Sequence, residues 1–225
     1  MSNVGCRIIS DFPRPDRTLV EAFRGLPVAN IDDCMNRTAA VDAAIRPVNK
    51  AKLLGPAFTV KVPEGDNLMF HKAMDMAKPG DVVVIDAGGD EKRAIFGALM
   101  INYCKVRGLA GVIVDGAIRD VEELSEMDFP VYARSVTPNG PYKNGPGEIN
   151  TTIAFGGKVV RPGDIIVGDA DGIVVIKPED AKELAEKAHK VLDMENGILK
   201  KILQEGSYVR SWVDDKLKSL GCQID

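Results

Sequence analysis

The sequence predicts an α/β protein with a largely parallel sheet, and two observations carry this prediction. Continuous apolar runs at residues 82–85 and 111–114 are typical of strands covered on both faces. Segments with helical periodicity stand between such runs. Strands joined through helices are expected to pair in parallel with right-handed crossovers.

The first elements follow from local patterns. Residues 17–24 have helical spacing that ends at the Gly-Leu-Pro turn, and residues 30–38 indicate a second short helix. Residues 55–62 indicate a strand that enters a loop, and residues 68–77 again show helical periodicity.

The central elements are predicted in the same way. The turn at 78–81 leads into a strand at 82–86, and residues 93–107 indicate a helix that Gly108 ends. A strand at 111–115 follows, which Asp-Gly is expected to break before a short helix begins. Residues 130–134 indicate one more strand.

From about residue 149 the pattern changes to short strands with Gly, Pro and Asp turns, at 149–155, 158–160, 164–167 and 172–176. Residues 179–204 and 207–220 indicate two terminal helices. Their apolar residues fit either an arm packed on another surface or a helix folded back on its own sheet. Nothing marks a linker, so we expect one domain over 1–225 with a C-terminal helical arm at about 178–225.

Composition narrows the class of protein. The chain has 225 residues, 45% hydrophobic, with a net charge of −4 and no evident basic patch, which argues against nucleic acid as a partner. Its four scattered cysteines and two histidines favour neither a disulfide framework nor a zinc site. No signal peptide or membrane-length segment is evident, so we expect a cytoplasmic protein without a membrane partner.

The most informative feature is the pair Arg119-Asp120, which follows a buried strand. Ligands in open α/β sheets lie beyond the carboxyl ends of strands. Arginine offers a planar fork for a carboxylate, and aspartate offers an oxygen ligand for Mg²⁺ or Mn²⁺. The pair therefore predicts a small acid held beside a metal. A surface ion pair, with the aspartate on a helix dipole, is the alternative.

Two further segments contain residues that could bind an anion. Asn67 and His71 are four residues apart and share one helix face, where both can donate to an oxyanion. The predicted helix around Gly97 offers N–H groups that bind anions. A satisfied half-buried histidine and a glycine serving only helix–sheet packing are the alternatives. No P-loop, GxGxxG or GxSxG motif is present.

Several short motifs occur in a consistent order: Gly65-Asp66-Asn67…His71, Pro79-Gly80-Asp81, Gly97-x-Leu99-Met100, Val106-Arg107-Gly108, Gly116-x-x-Arg119-Asp120, Phe129-Pro130-Val131, Pro162-Gly163-Asp164 and Asp169-x-Asp171-Gly172. With this series the chain resembles the RraA-like family, and within it the class II 4-hydroxy-4-methyl-2-oxoglutarate/4-carboxy-4-hydroxy-2-oxoadipate aldolases. The resemblance runs from about Leu19 through the long C-terminal helix.

The resemblance implies a swivelling, phosphohistidine-domain-like fold of α/β/α and β/β/α layers, assembled as homotrimers or homohexamers with sites between subunits. It implies that Asp120 holds a divalent metal, Mg²⁺ or Mn²⁺, largely through water. It implies that Arg119 and the N–H groups near Leu99 and Met100 bind the pyruvyl carboxylate. Glu195 is the best match to a metal-approaching glutamate from a neighbouring subunit. Asn67 and His71 match polar residues that line the pocket.

One departure concerns the reaction. Many of these aldolases carry an acidic residue where this chain has Ala98, and aldol cleavage needs a base and an acid. We therefore expect a metal-dependent carbon–carbon lyase on 2-oxo acids that releases pyruvate, as an aldolase, an oxaloacetate decarboxylase or both. The alternative is a non-enzymatic regulator of ribonuclease E of the RraA type, whose members lack the Arg-Asp pair.

Overall fold

The computed structural model of the protein describes residues 3–223. The chain divides into two compact units, Met1–Ala188 and His189–Asp225. The boundary falls inside one long helix, Ala181–Glu205. The single-domain organisation stays a prediction. No helix among the described residues combines the length and the apolar character needed to cross a membrane.

Strands and helices alternate through the first unit. Within residues 3–223 the strands are β1 (Cys6–Ile8), β2 (Arg46–Pro47), β3 (Leu53–Lys61), β4 (Val82–Ala94), β5 (Gly111–Ile118), β6 (Val131–Val136), β7 (Gly147–Ile149), β8 (Ile153–Phe155), β9 (Lys158–Val160), β10 (Ile165–Asp169) and β11 (Gly172–Ile176). The helices are α1 (Arg17–Glu21), α2 (Val28–Cys34), α3 (Leu68–Met76), α4 (Ala98–Val106), α5 (Val121–Glu126), α6 (Ala181–Glu205) and α7 (Ser211–Ser219).

The central sheet has the strand order β1-β7-β3-β4-β5-β6-β2. The pairs β3–β4, β4–β5 and β5–β6 are parallel, as the alternation of strands and helices predicted. The first half of β3 also pairs antiparallel with β10, which forms a hairpin with β11. The mixed α/β class with a central sheet is thus confirmed, whereas the phosphohistidine-domain-like layering stays a prediction.

The core lies along the two central strands. The side chains of Val82–Ile85 in β4 are fully buried, and every residue of β5 is buried. Their continuous apolar sequence reflects cover on both faces of the sheet. The parallel arrangement brings the carboxyl ends of β3, β4, β5 and β6 to one edge, where ligands are expected in such folds.

The structure corrects three predicted boundaries, which are the end of β4, the end of β5 and the start of α4. β4 continues to Ala94, with Asp90 opposite Gly116 and Ala94 opposite Ala117 after register shifts, so β5 does not break at Gly116. The backbone N–H of Ile95 also donates to Ala117 O at 2.8 Å. These groups are committed to the sheet, so the helix predicted over 93–107 begins only at Ala98. Gly97 precedes that helix and does not belong to it.

The second unit is helical in its described residues. It contains the rest of α6 and the whole of α7. Several of its apolar side chains are exposed: Met194, Leu199, Leu203, Val209, Trp212 and Leu220. Glu195 is also exposed, on α6. Its role as a metal ligand stays a prediction.

Candidate active site

A cavity of about 190 Å³ opens at the edge of the sheet where β5 ends. Seven residues predicted from the sequence to form the site line it together, while Glu195 belongs to the second unit. The lining residues are Asn67, His71, Ala94, Ile95, Phe96, Gly97, Leu99, Met100, Arg119, Asp120, Pro141 and Lys143.

Arg119 and Asp120 reach this cavity because the chain turns sharply after β5. The Arg119 N–H donates to Phe96 O at 3.1 Å. Asp120 has φ 59° and ψ 35°, a left-handed conformation that aspartate adopts more readily than most residues. Arg119 Nε and Asp120 Oδ2 are 3.9 Å apart, and both side chains are about half exposed. This loose ion pair leaves both groups accessible to a ligand.

Asp120 caps a helix, although not the one that it precedes in sequence. Its Oδ2 accepts a 3.0 Å hydrogen bond from the Ala98 N–H, at the start of α4. It makes no side-chain cap bond to its own helix, α5. A carboxylate at a helix N-terminus is favoured by the helix dipole, so α4 helps to fix Asp120 in the cavity.

Gly97 permits this close approach. A Cβ at Gly97 would overlap Asp120 Oδ2 and lie 3.0 Å from Arg119 Cγ. Its φ of −143° and ψ of −167° are ordinary extended values, so backbone freedom is not the reason for glycine. The absence of a side chain is what lets the two charged residues pack against the backbone.

The first turn of α4 supplies further donors. The leading N–H groups of a helix have no acceptor within it. The Ala98 N–H is taken by Asp120, and the next two belong to Leu99 and Met100, which line the cavity. Such N–H groups favour a bound anion.

Two buried polar atoms in the wall lack a partner among the described residues. Asn67 is 2% exposed, and its Nδ2 donates to Ile95 O at 2.8 Å, which leaves Oδ1 without a hydrogen bond. His71 Nε2 is likewise buried and unpartnered. Burial, and then the Lys143 ammonium, lower the pKa of His71, while Asp75 opposes them. The imidazole is therefore mainly neutral near pH 7.

Sequence reasoning missed one wall of the cavity. Pro141 and Lys143 lie on the loop after β6, at 137–146. Asp66 fastens this loop, because its Oδ2 accepts from the Asn144 N–H at 2.6 Å and from the Gly145 N–H at 3.0 Å. The available signal was a Gly- and Pro-rich loop directly after a strand of a parallel sheet.

Three other carboxylates of the first unit, those of Asp86, Asp115 and Glu123, do not line the cavity. Asp115 accepts from Arg134 Nε at 2.5 Å and from the Gly156 N–H at 3.0 Å. Glu123 Oε1 accepts from Asn102, and burial raises the pKa of Asp86. Among the described lining residues Asp120 is the one carboxylate.

The oxygen and nitrogen atoms that line the cavity fit a divalent ion that binds few protein ligands. The described residues contain no group of three or more His, Cys, Asp or Glu side chains placed to hold an ion. Zinc sites use three or four such ligands, whereas Mg²⁺ commonly binds through one or two carboxylates and keeps several waters. Asn67 Oδ1 is an orphaned acceptor in the same wall and suits a donating water. The residues therefore fit a largely hydrated Mg²⁺ or Mn²⁺ at Asp120.

The chain is similar in sequence to proteins that are named as aldolases. A protein from Halalkalibacterium halodurans, provisionally named a 4-hydroxy-4-methyl-2-oxoglutarate aldolase, is 44% identical over 76% of this chain and 82% of its own length. A Thermus thermophilus protein named 4-hydroxy-4-methyl-2-oxoglutarate aldolase is 33% identical over 56% of this chain and 77% of its own.

A solved structure shares the fold. Streptomyces coelicolor RraAS2, described as an unusual member of the RNase ES inhibitor RraA protein family, superimposes with a TM-score of 0.73 and 26% identity. The match covers 83% of this chain and 98% of that one. The RraA-like family model, described as Aldolase/RraA, matches residues 28–175, which include every residue that lines the cavity. The chain therefore belongs to the RraA-like family.

Proposed function

We propose that this protein is a divalent-metal-dependent carbon–carbon lyase that acts on 2-oxo acids and releases pyruvate. One observation carries the proposal: Arg119 and Asp120 face a shared cavity whose wall holds the unpartnered atoms Asn67 Oδ1 and His71 Nε2. Relatives named as aldolases support the same class of reaction.

The chain's own residues would bind the oxo acid by its carboxylate. Arg119 presents a half-exposed side chain whose ion pair with Asp120, at 3.9 Å, is the one found for it within residues 3–223, and such a guanidinium suits a bidentate carboxylate. The N–H groups of Leu99 and Met100 stand at the same opening. These donors fix the C1 carboxylate, so that the bond between C3 and C4 is oriented for cleavage.

Asp120 would hold the metal ion. When bound, a divalent cation acts as a Lewis acid that stabilises negative charge developing on the 2-oxo oxygen. Asn67 Oδ1 is placed to accept a hydrogen bond from water or from a substrate hydroxyl. His71, neutral near pH 7, is able to take up a proton through Nε2.

Decarboxylation needs fewer proton-transfer groups in the site than aldol cleavage does. In oxaloacetate the C3–C4 electron pair moves toward the 2-oxo oxygen, CO₂ leaves, and water then protonates C3, so no hydroxyl proton must be removed. An aldol substrate also needs a base for its 4-hydroxyl. Ala98 supplies none, which leaves His71, whose Nε2 has no hydrogen-bond partner among the described residues, as the lining residue proposed to accept that proton. We therefore propose oxaloacetate decarboxylation as the faster reaction.

The assembly forms a separate part of the proposal. We propose a homotrimer or homohexamer in which Glu195 of a neighbouring subunit approaches the ion at Asp120. Light scattering of the wild type tests the assembly, and weaker Mn²⁺ binding by Glu195→Ala tests the ligand. A monomer that binds Mn²⁺ as tightly with either residue at 195 would contradict both statements.

The second candidate is a regulator of an RNA-degrading endonuclease. It is favoured by the similarity to RraAS2, whose description names an RNase ES inhibitor family. The Arg119-Asp120 pair and its cavity have no part in that alternative. Tight binding to an RNase E-type endonuclease, without any metal affinity, would favour the regulator.

One experiment tests the main proposal. The protein is incubated with Mg²⁺ and either oxaloacetate or 4-hydroxy-4-methyl-2-oxoglutarate, and pyruvate is followed with a coupled dehydrogenase. Pyruvate formation that chelator abolishes and Mg²⁺ restores is expected. The proposal is wrong if neither substrate gives pyruvate above the Mg²⁺-only background, or if Asp120→Ala retains full metal-independent activity.

A further inference from the structure

A second cavity, of about 480 Å³, lies at the opposite edge of the sheet from the candidate active site, where β4 and β5 begin. We call it the amino-edge cavity. It shares no lining residue with the candidate active site. The eight residues of β5 separate the two edges by about 25 Å. A ligand in the amino-edge cavity therefore does not touch the residues proposed for catalysis.

The segment at residues 14–24 forms one wall of the amino-edge cavity. Ligands in open α/β sheets usually bind at the other edge, beyond the carboxyl ends of the strands. Here the segment covers the amino edge and encloses a cavity against β3 and the turns that precede β4 and β5. It lies outside residues 28–175, which the RraA-like family model matches. The cavity is thus built partly by residues beyond the family domain.

Arg14 is held firmly in this wall. Its Nε and Nη2 donate to the two carboxylate oxygens of Asp81 at 2.8 and 2.6 Å, and Asp81 is 1% exposed. Its Nη1 donates to Asp11 at 3.0 Å, and the guanidinium stacks on the Phe12 ring. Three N–H groups are used in this way, which leaves others of the same guanidinium able to donate. Arg14 is therefore a preorganised donor whose charge is already balanced.

Arg17 keeps a charge that no neighbour balances. Arg24 Nη2 donates to Glu21 Oε1 at 2.8 Å, so Arg24 and Glu21 form a pair. A hydrogen bond from Arg24, and to a smaller extent the charge of Arg17, lower the pKa of Glu21. In the part of the chain that the structure describes, no hydrogen bond or ion pair engages the exposed Arg17 side chain. With three arginines, Glu21 and Asp81, the lining has one net positive charge.

The remaining side chains of the lining are apolar. Val20, Leu54, Pro56, Pro79 and Ala110 contribute them. A volume of about 480 Å³ lies in the range of small-molecule sites, which combine an apolar lining with a few polar groups. One net positive charge matches one carboxylate, and a guanidinium can bind a carboxylate through two parallel hydrogen bonds.

We propose that the amino-edge cavity binds a monocarboxylic acid with an apolar body. Its carboxylate binds Arg17, and its body lies against Val20 and Leu54. Arg14, which Asp81 holds in place, donates its remaining N–H groups to the same ligand. The inference does not depend on the proposed function, because the two cavities have no residue in common.

The test uses three probes. 2-Naphthoate has both the charge and the apolar body, 2-naphthamide has the same rings without the charge, and acetate has the charge without the rings. Dissociation constants are measured by calorimetry on the whole chain. The variants are Arg17→Ala, the control Arg7→Ala, which removes an exposed arginine outside the cavity, and Arg119→Ala, which removes the arginine of the candidate active site.

The wild type, Arg7→Ala and Arg119→Ala should bind 2-naphthoate equally, and roughly tenfold or more tightly than 2-naphthamide. Acetate should bind far more weakly, because it buries little apolar surface. Arg17→Ala should lose the preference by weakening only 2-naphthoate, with the melting temperature of Arg7→Ala. The inference is overturned if the wild type does not bind 2-naphthoate or binds both aromatic probes equally. It is also overturned if Arg17→Ala keeps the preference or weakens both probes alike, or if Arg119→Ala abolishes binding.

The two proposals fail in different ways. Binding of 2-naphthoate that depends on Arg17, in a protein that releases no pyruvate, would refute the lyase and leave the amino-edge site. Pyruvate release by a protein that does not bind 2-naphthoate would refute the amino-edge site and leave the lyase.

Discussion

Replacing Gly97 by alanine tests the cavity through a single added methyl group. The Cβ would overlap Asp120 Oδ2, whereas the backbone angles at Gly97 suit any residue. The carboxylate must therefore move, and its hydrogen bond from the Ala98 N–H must stretch or break. The fold should tolerate this, because Asp120 is about half exposed and lies outside the core.

The size of the effect follows from the bond that is lost. A hydrogen bond to a charged group contributes about 1.5–3 kcal/mol. Displacing a catalytic group by about 1 Å lowers the rate by roughly a hundredfold. We therefore expect kcat/KM for Mg²⁺-dependent oxaloacetate decarboxylation to fall by roughly a hundredfold in Gly97→Ala. The melting temperature should fall by roughly 3–12 °C, because about 1.5–3 kcal/mol is lost and each kcal/mol corresponds to about 2–4 °C in a chain of this size.

Gly140→Ala provides the matched control. Its added Cβ would meet Arg119 Nη1 at 3.5 Å, an ordinary contact, and nothing else within 4 Å. Pyruvate release is followed with a coupled dehydrogenase, and Mn²⁺ binding is measured in parallel. If Gly97→Ala bound Mn²⁺ and turned over like Gly140→Ala, the placement of the metal at Asp120 would be refuted.

Three further predictions concern the same cavity and the start of α4 beside it. Asp120→Asn should lower kcat by roughly a hundredfold and weaken Mn²⁺ binding, and unchanged Mn²⁺ affinity by calorimetry would contradict its role. Ala98→Asp should lower the melting temperature by several degrees, because Ala98 is 4% exposed in the hydrophobic core and does not line the cavity. An unchanged melting temperature by calorimetry would contradict that reasoning. The His71 imidazole should titrate by NMR below 6.5, because burial and Lys143 disfavour its protonation. The folded-state pKa of His71 lies below its unfolded value. The contribution of His71 to the free energy of unfolding is therefore fully present above about pH 6.5 and is lost as the pH falls through the folded-state pKa.

The parallel core could be predicted from sequence because its signal is local. Residues 82–85 and 111–114 are continuous apolar runs, and both form central strands. The start of α4 could not be predicted in the same way. Residues 93–97 contain no helix breaker that outweighs their helical spacing, and what keeps them extended is pairing with β5 after two register shifts. Pairing between distant strands leaves no trace in local periodicity.

The lining residues that directly follow a strand could be predicted from the sequence. The lining residues on an irregular loop could not. That Arg119 and Asp120 lie together at a cavity could be predicted because two charges follow a buried run, while their roles stay a prediction. Lys143 was missed because the loop at 137–146 has no periodicity, and its place depends on the buried carboxylate of Asp66. The role predicted for Glu195 cannot be read from a single chain, since it depends on contact with a neighbouring subunit.

The arrangement explains how one fold can host either an enzyme or a regulator. The apolar core of β4 and β5 forms without Arg119 or Asp120, which are half exposed at the edge of the sheet. Losing the pair would remove these two charges from the cavity and leave the sheet intact, so chemistry and fold can change independently. Gly97 links the two, because the space that a Cβ would fill is occupied by Asp120 Oδ2 and approached to 3.0 Å by Arg119 Cγ. The glycine therefore keeps both charged side chains in the position at which we propose that a metal ion and a carboxylate bind.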